Sequence, residues 1–439
     1  MDGPVTDRSR RRRNPRGSEA RVTIGSIAAG GEGVGRLPDG RAVFVHRTAP
    51  GEEVEIALTQ EHRRWARGRL LRVLTPSPSR RPAPCPHYEN CGGCTLEHLE
   101  YEAQLQGKAR IVFDALTRLG GLAAEVPEVT GSPLEHRYRN RVSFTLQRAG
   151  GGRVWAGFHS LGDPSRIVPI DGRCLLPEEP IAVVWDRLQQ NWGPNANRLP
   201  SGDTLRLTLR GNATGLVSLI IEGGFSTGRP TELLELVEGL ASVWHRPDSG
   251  TLQWLAGAES LPEVWGTETL KLSGNTFLQV NRRAAAVLEE YVFDLASRAD
   301  PSRAIDAYCG AGLLARRLAR VGRSVVGLEL DADAVRIAQS ADLVGTRFLQ
   351  GRVEDLLVDV LPADLLILNP PRSGLDSDVV DTILREPPAS VLYVSCDPAT
   401  LARDLKRMAE RYRPASVRCF DLFPQTAHVE TVVLLAANP

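Results

Sequence analysis

The sequence predicts a multidomain chain: an N-terminal OB-like β-barrel, an α+β central region and a C-terminal Rossmann-like α/β domain. Three observations predict it. Residues 21–75 hold short alternating runs broken by Gly and Pro, the pattern of a small barrel. Residues from Pro127 to Leu272 alternate strand-like runs with turns. After Asn281, strand-like and helical runs alternate, as in a doubly wound sheet.

The elements follow in chain order. Residues 1–20 form a polar tail with an arginine run, Arg10 to Arg13. Such a run suits either a solubilising disordered tail or an arm that contacts phosphates. The barrel strands are read at Arg21–Ile24, Ala42–Val45 and Glu53–Leu58. The last barrel region, His62 to Arg69, is basic with one aromatic, Trp65. Arginine on phosphate and tryptophan on a base would make that a nucleic-acid face. Charges that keep an edge strand from aggregating are the alternative. Pro76 to Pro86 reads as a proline-rich linker. From Leu99 to Leu119, Leu105, Ala109, Val112, Leu116 and Leu119 recur at helical spacing, with Gly120-Gly121 as the stop. In the central region, which with the cysteine segment spans 76–280, Thr204–Leu209 and Leu216–Ile221 flank a Gly/Asn turn and read as a hairpin. The α/β domain covers 281–439.

Composition narrows the class. The 439 residues are 42% hydrophobic and 24% charged, as in a soluble globular protein. Lys+Arg and Asp+Glu number 53 each, so any binding to nucleic acid must come from local patches. No apolar run approaches the roughly 20 residues that span a bilayer. The N-terminus lacks an apolar signal region. Three of the seven cysteines fall within ten residues, which in a reducing cytoplasm points to metal or catalysis before disulfides. A cytoplasmic location is therefore expected.

Within the α/β domain, Asp306-Ala307-Tyr308-Cys309-Gly310-Ala311-Gly312 follows the first strand and precedes a helix. Glycines there let a ligand approach the backbone. Glu329 ends the next strand, where a carboxylate can accept both ribose hydroxyls. The third glycine of a dinucleotide fingerprint is missing, which favours S-adenosylmethionine (SAM) over NAD. Asn369-Pro370-Pro371-Arg372 follows the fourth strand, and the two prolines stiffen the loop that aims Asn369.

Cys396 follows the apolar run Ser390–Val394, at the strand edge where open α/β sheets bind ligands. Glu430, in His428-Val429-Glu430, precedes the last apolar run and can return to that edge as a base. A thiolate, a base and SAM are the parts needed to methylate carbon 5 of uracil. Addition of sulfur at carbon 6 makes carbon 5 nucleophilic, and the carbon 5 proton must then leave before the thiol is eliminated. A free thiol titrates at about 8.5, so such a site must lower that value or accept a slow step.

Cys85, Cys91 and Cys94 fall together around Gly92-Gly93, and Cys174 lies downstream. Four thiolates suit zinc or a [4Fe-4S] cluster, and spacing leaves the two open. Cys309 and Cys419 read as packing residues.

These residues, with Phe277-Leu278-Gln279-Val280-Asn281, resemble the RNA (uracil-5-)-methyltransferase family, most closely its iron–sulfur-containing 23S rRNA members. The barrel resembles the RNA-binding TRAM domain. The resemblance covers nearly the whole chain. It implies Cys396 as nucleophile and Glu430 as base. It implies Gln279, Tyr308, Glu329 and Asn369 beside SAM, with the Gly310 loop, and a structural [4Fe-4S] cluster on Cys85, Cys91, Cys94 and Cys174. Arg137–Arg141 resembles the central entry to the RNA site. The implied partner is RNA, ribosomal in preference to transfer RNA, with no membrane and no second subunit. Two departures stand out. The family usually has Asp where Asn369 stands, and an amide donates as well as accepts. Leu313-Leu314 replace a polar residue and an aromatic. Asn369 keeps amino-group methylation as an alternative, and a non-catalytic RNA-binding factor is a third.

Overall fold

The computed structural model describes residues 18–274 and 276–438. The arginine run Arg10–Arg13 lies outside the described residues. Strands β1 (Glu19–Ile27), β2 (Gly33–Arg36), β3 (Ala42–Val45), β4 (Glu53–Glu61) and β5 (Trp65–Thr75) close into a barrel in the order β1-β2-β3-β5-β4. Alternation sends Val22, Ile24, Val43, Val45, Val54 and Ile56 inward. Arg63, Arg64, Arg67 and Arg69 are exposed. Trp65 already stacks on the His62 ring, with centroids 3.9 Å apart.

The proline-rich segment is not the free spacer expected from its composition. Glu52 is fully buried, and Arg80 in that segment supplies its cation, Nη2 donating to Oε2 at 2.9 Å. Arg80 also donates to the Arg47 carbonyl, which ties the segment down on the barrel. A buried carboxylate needs a partner, and that need outweighs the extended preference of the prolines.

Helix α1 (Tyr101–Asp114) runs into a π turn over Ala115–Leu119. Ala109, Val112 and Leu116 are buried as the spacing predicts, whereas Leu119 is exposed. Gln104 and Lys108 are buried on the same helix, four residues apart on one face. Gly107 lies against Ile27 of the barrel: a Cβ there would stand 3.0 Å from its Cδ1.

The central sheet has the order β13-β12-β11-β10-β7-β8-β9. Its strands are β7 (Arg141–Ala149), β8 (Arg153–Ser160), β9 (Asp163–Pro169), β10 (Thr204–Gly211), β11 (Val217–Glu222), β12 (Leu240–Arg246) and β13 (Gln253–Gly257). A three-residue strand, β6 (Glu128–Thr130), precedes them. Helices α2 (Glu179–Asn191) and α3 (Pro230–Leu236) contribute to the core on one face, where Phe144 stacks on Trp185 at 4.0 Å. The expected hairpin is β10–β11, paired from Arg206↔Glu222 to Gly211↔Val217. A separate hairpin, β14 (Leu261–Trp265) and β15 (Glu268–Leu272), leads to α4 (Arg282–Arg298).

The last sheet comprises β16 (Arg303–Ala307), β17 (Ser324–Glu329), β18 (Thr346–Gln350), β19 (Leu365–Leu368), β20 (Ser390–Ser395), β21 (Tyr412–Phe420) and β22 (Glu430–Ala437). Helices α5 (Leu313–Arg320), α6 (Ala332–Gln339), α7 (Val353–Val360), α8 (Ser377–Arg385) and α9 (Pro398–Met408) alternate with them. The order is β18-β17-β16-β19-β20-β22-β21-β6. Strands β16 to β20 are parallel, β22 runs antiparallel between β20 and β21, and β6 adds a parallel edge from upstream of the central sheet. Helices α7 and α8 and the joining of β6 were not anticipated from the sequence. The direction of winding reverses between β16 and β19, which opens a crevice at the carboxyl ends of those strands.

Candidate active site

Strand register assembles the site. Ala307 pairs with Leu328 on one side and Leu368 on the other. Tyr308, Glu329 and Asn369 each stand one residue beyond those rungs, side by side at the switch point. Strand β20 ends with Ser395 opposite Thr431 of β22. One residue past that pair stand Cys396 and Glu430. The antiparallel return of β22 therefore carries Glu430 back to the edge where Cys396 emerges.

The turn around Cys396 is fixed by its neighbours. Asp397 caps α9, its Oδ1 accepting from Ala399 N at 3.0 Å and Thr400 N at 2.9 Å, with Pro398 in the first turn. Ser395 Oγ accepts from Asp397 N at 3.2 Å. The thiol is thus held between a strand end and a helix N-terminus, half-buried.

The electrostatics pair these two groups. Burial pushes the Glu430 carboxyl up to about 7, with the nearby Arg372 guanidinium pulling the other way. Burial also raises the Cys396 thiol, and the negative charge of Glu430 raises it further, against Arg372. In the resting protein Cys396 is a thiol, and Glu430 is near half-ionised at neutral pH. Arg372 of the Pro-Pro-Arg loop is exposed, and its positive charge acts on both.

At the switch point, Glu329 Oε2 accepts from Gly310 N at 2.9 Å and Oε1 from Asp331 N at 2.8 Å. The carboxylate that can accept ribose hydroxyls thus also shapes the glycine loop. Gly310 has φ +54° and open space where a Cβ would be, so a ligand can come close to its backbone. Gly312 has φ +71°, and a Cβ there would strike the Phe348 ring at 2.6 Å, so its role is packing. Tyr308 also has positive φ, +63°, and burial raises its phenol. Asn369 is exposed at the edge, and its N–H donates to the Ala307 carbonyl at 3.3 Å. Leu313 and Leu314 are half-buried against the core of this domain.

Gln279 lies in the segment leading into α4. Its carbonyl accepts from Asn140 Nδ2 at 2.9 Å, which docks that segment on Arg137–Arg141. Asn281 caps α4 through Oδ1 to Ala284 N at 3.1 Å, while its amide donates to the Leu422 carbonyl at 3.2 Å. Gln279 is therefore tied to the loop that leads to Glu430. Phe277 is exposed.

Of the four cysteines expected to hold a metal, Cys85, Cys91 and Cys94 precede α1, and Cys174 lies between β9 and α2. All are free thiols, with Cys91 and Cys174 buried. Gly93 N donates to Cys91 Sγ at 3.3 Å. His87 Nε2 and Asp171 Oδ1, 2.9 Å apart, join the two cysteine-bearing segments. Among the described residues, however, no group of three or more His, Cys, Asp or Glu side chains has metal-ligating geometry. Cys419 is buried and Cys309 is packed against the α/β core, as expected of both.

Sequence reasoning missed the residues that hold the loop before Glu430. Lys108 Nζ pairs with Asp421 Oδ1 at 2.5 Å, both side chains fully buried. Tyr101 OH donates to Asp421 Oδ2 at 2.9 Å, and Tyr138 OH to the Pro424 carbonyl at 2.9 Å. The available signal was Gln104 and Lys108, polar residues at the helical spacing of the apolar stripe.

Known proteins resemble this chain in sequence and fold. Residues 341–438 match the tRNA (uracil-5-)-methyltransferase family and residues 13–71 the TRAM domain. An uncharacterized RNA methyltransferase of Gloeobacter violaceus is 36% identical over 95% of this chain and 96% of its own. One from Bacillus cereus is 32% identical over 94% and 96%. The crystal structure of Pyrococcus abyssi tRNA (uracil-54, C5)-methyltransferase with S-adenosyl-L-homocysteine superposes with a TM-score of 0.75 at 25% identity. That match covers 95% of this chain and 100% of that one. The chain belongs to the TRAM-containing RNA (uracil-5-)-methyltransferase family.

Proposed function

We propose that this protein methylates carbon 5 of a uridine in RNA, with 23S rRNA as the target, through a covalent adduct between Cys396 and carbon 6. The observation that carries the reading is Cys396 and Glu430 one residue beyond a shared rung, with Arg372 acting on both. SAM, when bound, supplies the methyl group. The open space at Gly310 and the Glu329 carboxylate at the switch point fit an adenosyl ligand, with Tyr308, Asn369 and Gln279 as its other contacts. The Cys396 thiol loses its proton to solvent and Sγ bonds to carbon 6; the ring electron pair that reaches carbon 5 forms the new carbon–carbon bond to the methyl group, and the sulfonium sulfur keeps the pair of the carbon–sulfur bond that breaks. Glu430 then takes the carbon 5 proton, the double bond re-forms, and Cys396 leaves as thiolate. Exposed Arg63, Arg64, Arg67 and Arg69 on the barrel suit RNA phosphates.

The ribosomal preference rests on the cysteine set, which resembles that of the iron–sulfur rRNA enzymes. Cys85, Cys91, Cys94 and Cys174 are proposed to hold a [4Fe-4S] cluster. The Gly93 N–H donated to Cys91 Sγ is the kind of contact a thiolate ligand receives. Such a cluster would tie the two cysteine segments together, and no step of the reaction passes through it. Protein purified without air is expected to be brown with about four irons per chain. A colourless protein with one zinc overturns the cluster.

Mapping 5-methyluridine in RNA from a strain lacking the protein tests the target. One modified site in 23S rRNA is expected to vanish. Unchanged rRNA with a loss in tRNA would overturn the ribosomal assignment and keep the chemistry.

A further inference from the structure

Between β21 and β22 the chain runs through Asp421 to Val429 before delivering Glu430. At its centre is Gln425, buried, with φ +68°. A non-glycine residue holds that conformation only when its surroundings over-determine it. Gln425 is fixed from every direction. Its N–H donates to Gln104 Oε1 at 3.0 Å, and its side-chain Oε1 accepts from Gln104 Nε2 at 2.9 Å. Its carbonyl accepts from Thr95 N and Leu96 N, both at 2.9 Å. Its amide donates to the Glu135 carbonyl at 3.3 Å, and Arg81 Nη2 stands 3.4 Å from Oε1. Gln104 is itself fully buried and anchored to the Leu99 carbonyl at 3.0 Å.

None of these partners belongs to the α/β domain. All lie upstream, in the cysteine segment, α1 and the approach to the central sheet. The base-bearing loop is thus shaped by residues more than 280 positions away in sequence, and among the described residues Gln104 grips Gln425 through both backbone and side chain. We propose that Gln104 is a positioning residue for the deprotonation step, acting through the strained Gln425 to hold Glu430 over carbon 5. The proposal rests on the covalent reading above. Addition of Cys396 does not need this loop, because Cys396 is placed by β20 and the α9 cap. Removal of the carbon 5 proton does need it, because Glu430 stands at its end. Loosening the grip should slow the second half of the reaction and spare the first.

The test uses deproteinised ribosomal RNA from cells lacking the enzyme, with methyl-labelled SAM. Two quantities are measured: released 5-methyluridine, and label in a denaturant-stable protein–RNA adduct. For Gln104→Leu, release is expected to fall about 10- to 100-fold, the scale of a small misplacement of a reacting group. The labelled adduct should rise above the wild-type level. Gln104→Glu keeps an acceptor for the Gln425 N–H and should lie between the two. A purely structural role would lower adduct and release together, and that parallel loss overturns the proposal, as does unchanged release. If Gln104→Leu does not fold, the adduct-to-release ratio of Gln104→Glu decides by the same criterion. If the wild type forms no Cys396 adduct even on 5-fluorouridine RNA, the covalent reading itself fails.

Discussion

RNA carrying 5-fluorouridine, incubated with SAM, should form a denaturant-stable adduct with the wild type and none with Cys396→Ala. The reason is chemical balance at carbon 5. After sulfur adds at carbon 6 and the methyl group arrives, a fluorine occupies the place of the proton that Glu430 must remove. Fluorine cannot leave as a proton, so elimination of the thiol is blocked and the adduct persists. On ordinary RNA, Cys396→Ala should lose methyl transfer by about a thousandfold or more, as expected when a nucleophile is removed from a site that works as a unit. Adduct formation by the wild type should accelerate as pH rises toward and beyond the ordinary thiol range, because the thiol is raised by burial and by the Glu430 charge. Methyl transfer retained by Cys396→Ala would overturn the covalent reading and point to Asn369 and amino-group chemistry. Sequencing the trapped RNA identifies the substrate in the same experiment.

Glu430→Gln should stall the reaction one step later. The glutamine cannot take the carbon 5 proton, so turnover is expected to fall about 100- to 10,000-fold. A methylated adduct should accumulate on ordinary uridine RNA. Wild-type turnover should rise with pH through about 7, where Glu430 becomes a carboxylate, and that inflection should vanish in the variant. Removing the carboxylate also removes a charge that raises Cys396, so the variant's adduct should form at lower pH. Stability should move the opposite way from activity. The folded carboxyl titrates at about 7, above its ordinary 4.5, so the unfolded chain ionises first as pH rises. Folding therefore loses stability between those values and carries a constant cost above pH 7. Glu430→Gln relieves that cost, on the order of 3 kcal/mol above pH 7, and gives no gain below pH 4.5. Denaturant unfolding at pH 4 and pH 8 measures it. Equal stability changes at the two pH values would show that Glu430 is not raised by burial.

The sequence by itself determined what local chemistry specifies. Alternation and turns marked the barrel and the β10–β11 hairpin, and β/α alternation marked the doubly wound sheet. Motifs at strand ends marked Tyr308, Glu329, Asn369 and Cys396, because a parallel strand's carboxyl end is legible as the point where an apolar run stops. Tertiary structure decided what depends on non-local pairing. Glu430 meets Cys396 only because β22 returns antiparallel beside β20, and no local pattern encodes that register. The proline-rich segment is tied down on the barrel because Glu52 is buried on a barrel turn and needs Arg80. Gln104 and Lys108 break an apolar stripe, and a stripe gives no hint of its partners. Gln425 and Asp421 lie more than 300 residues downstream, and only the docked helix brings each buried polar group to the one that satisfies it.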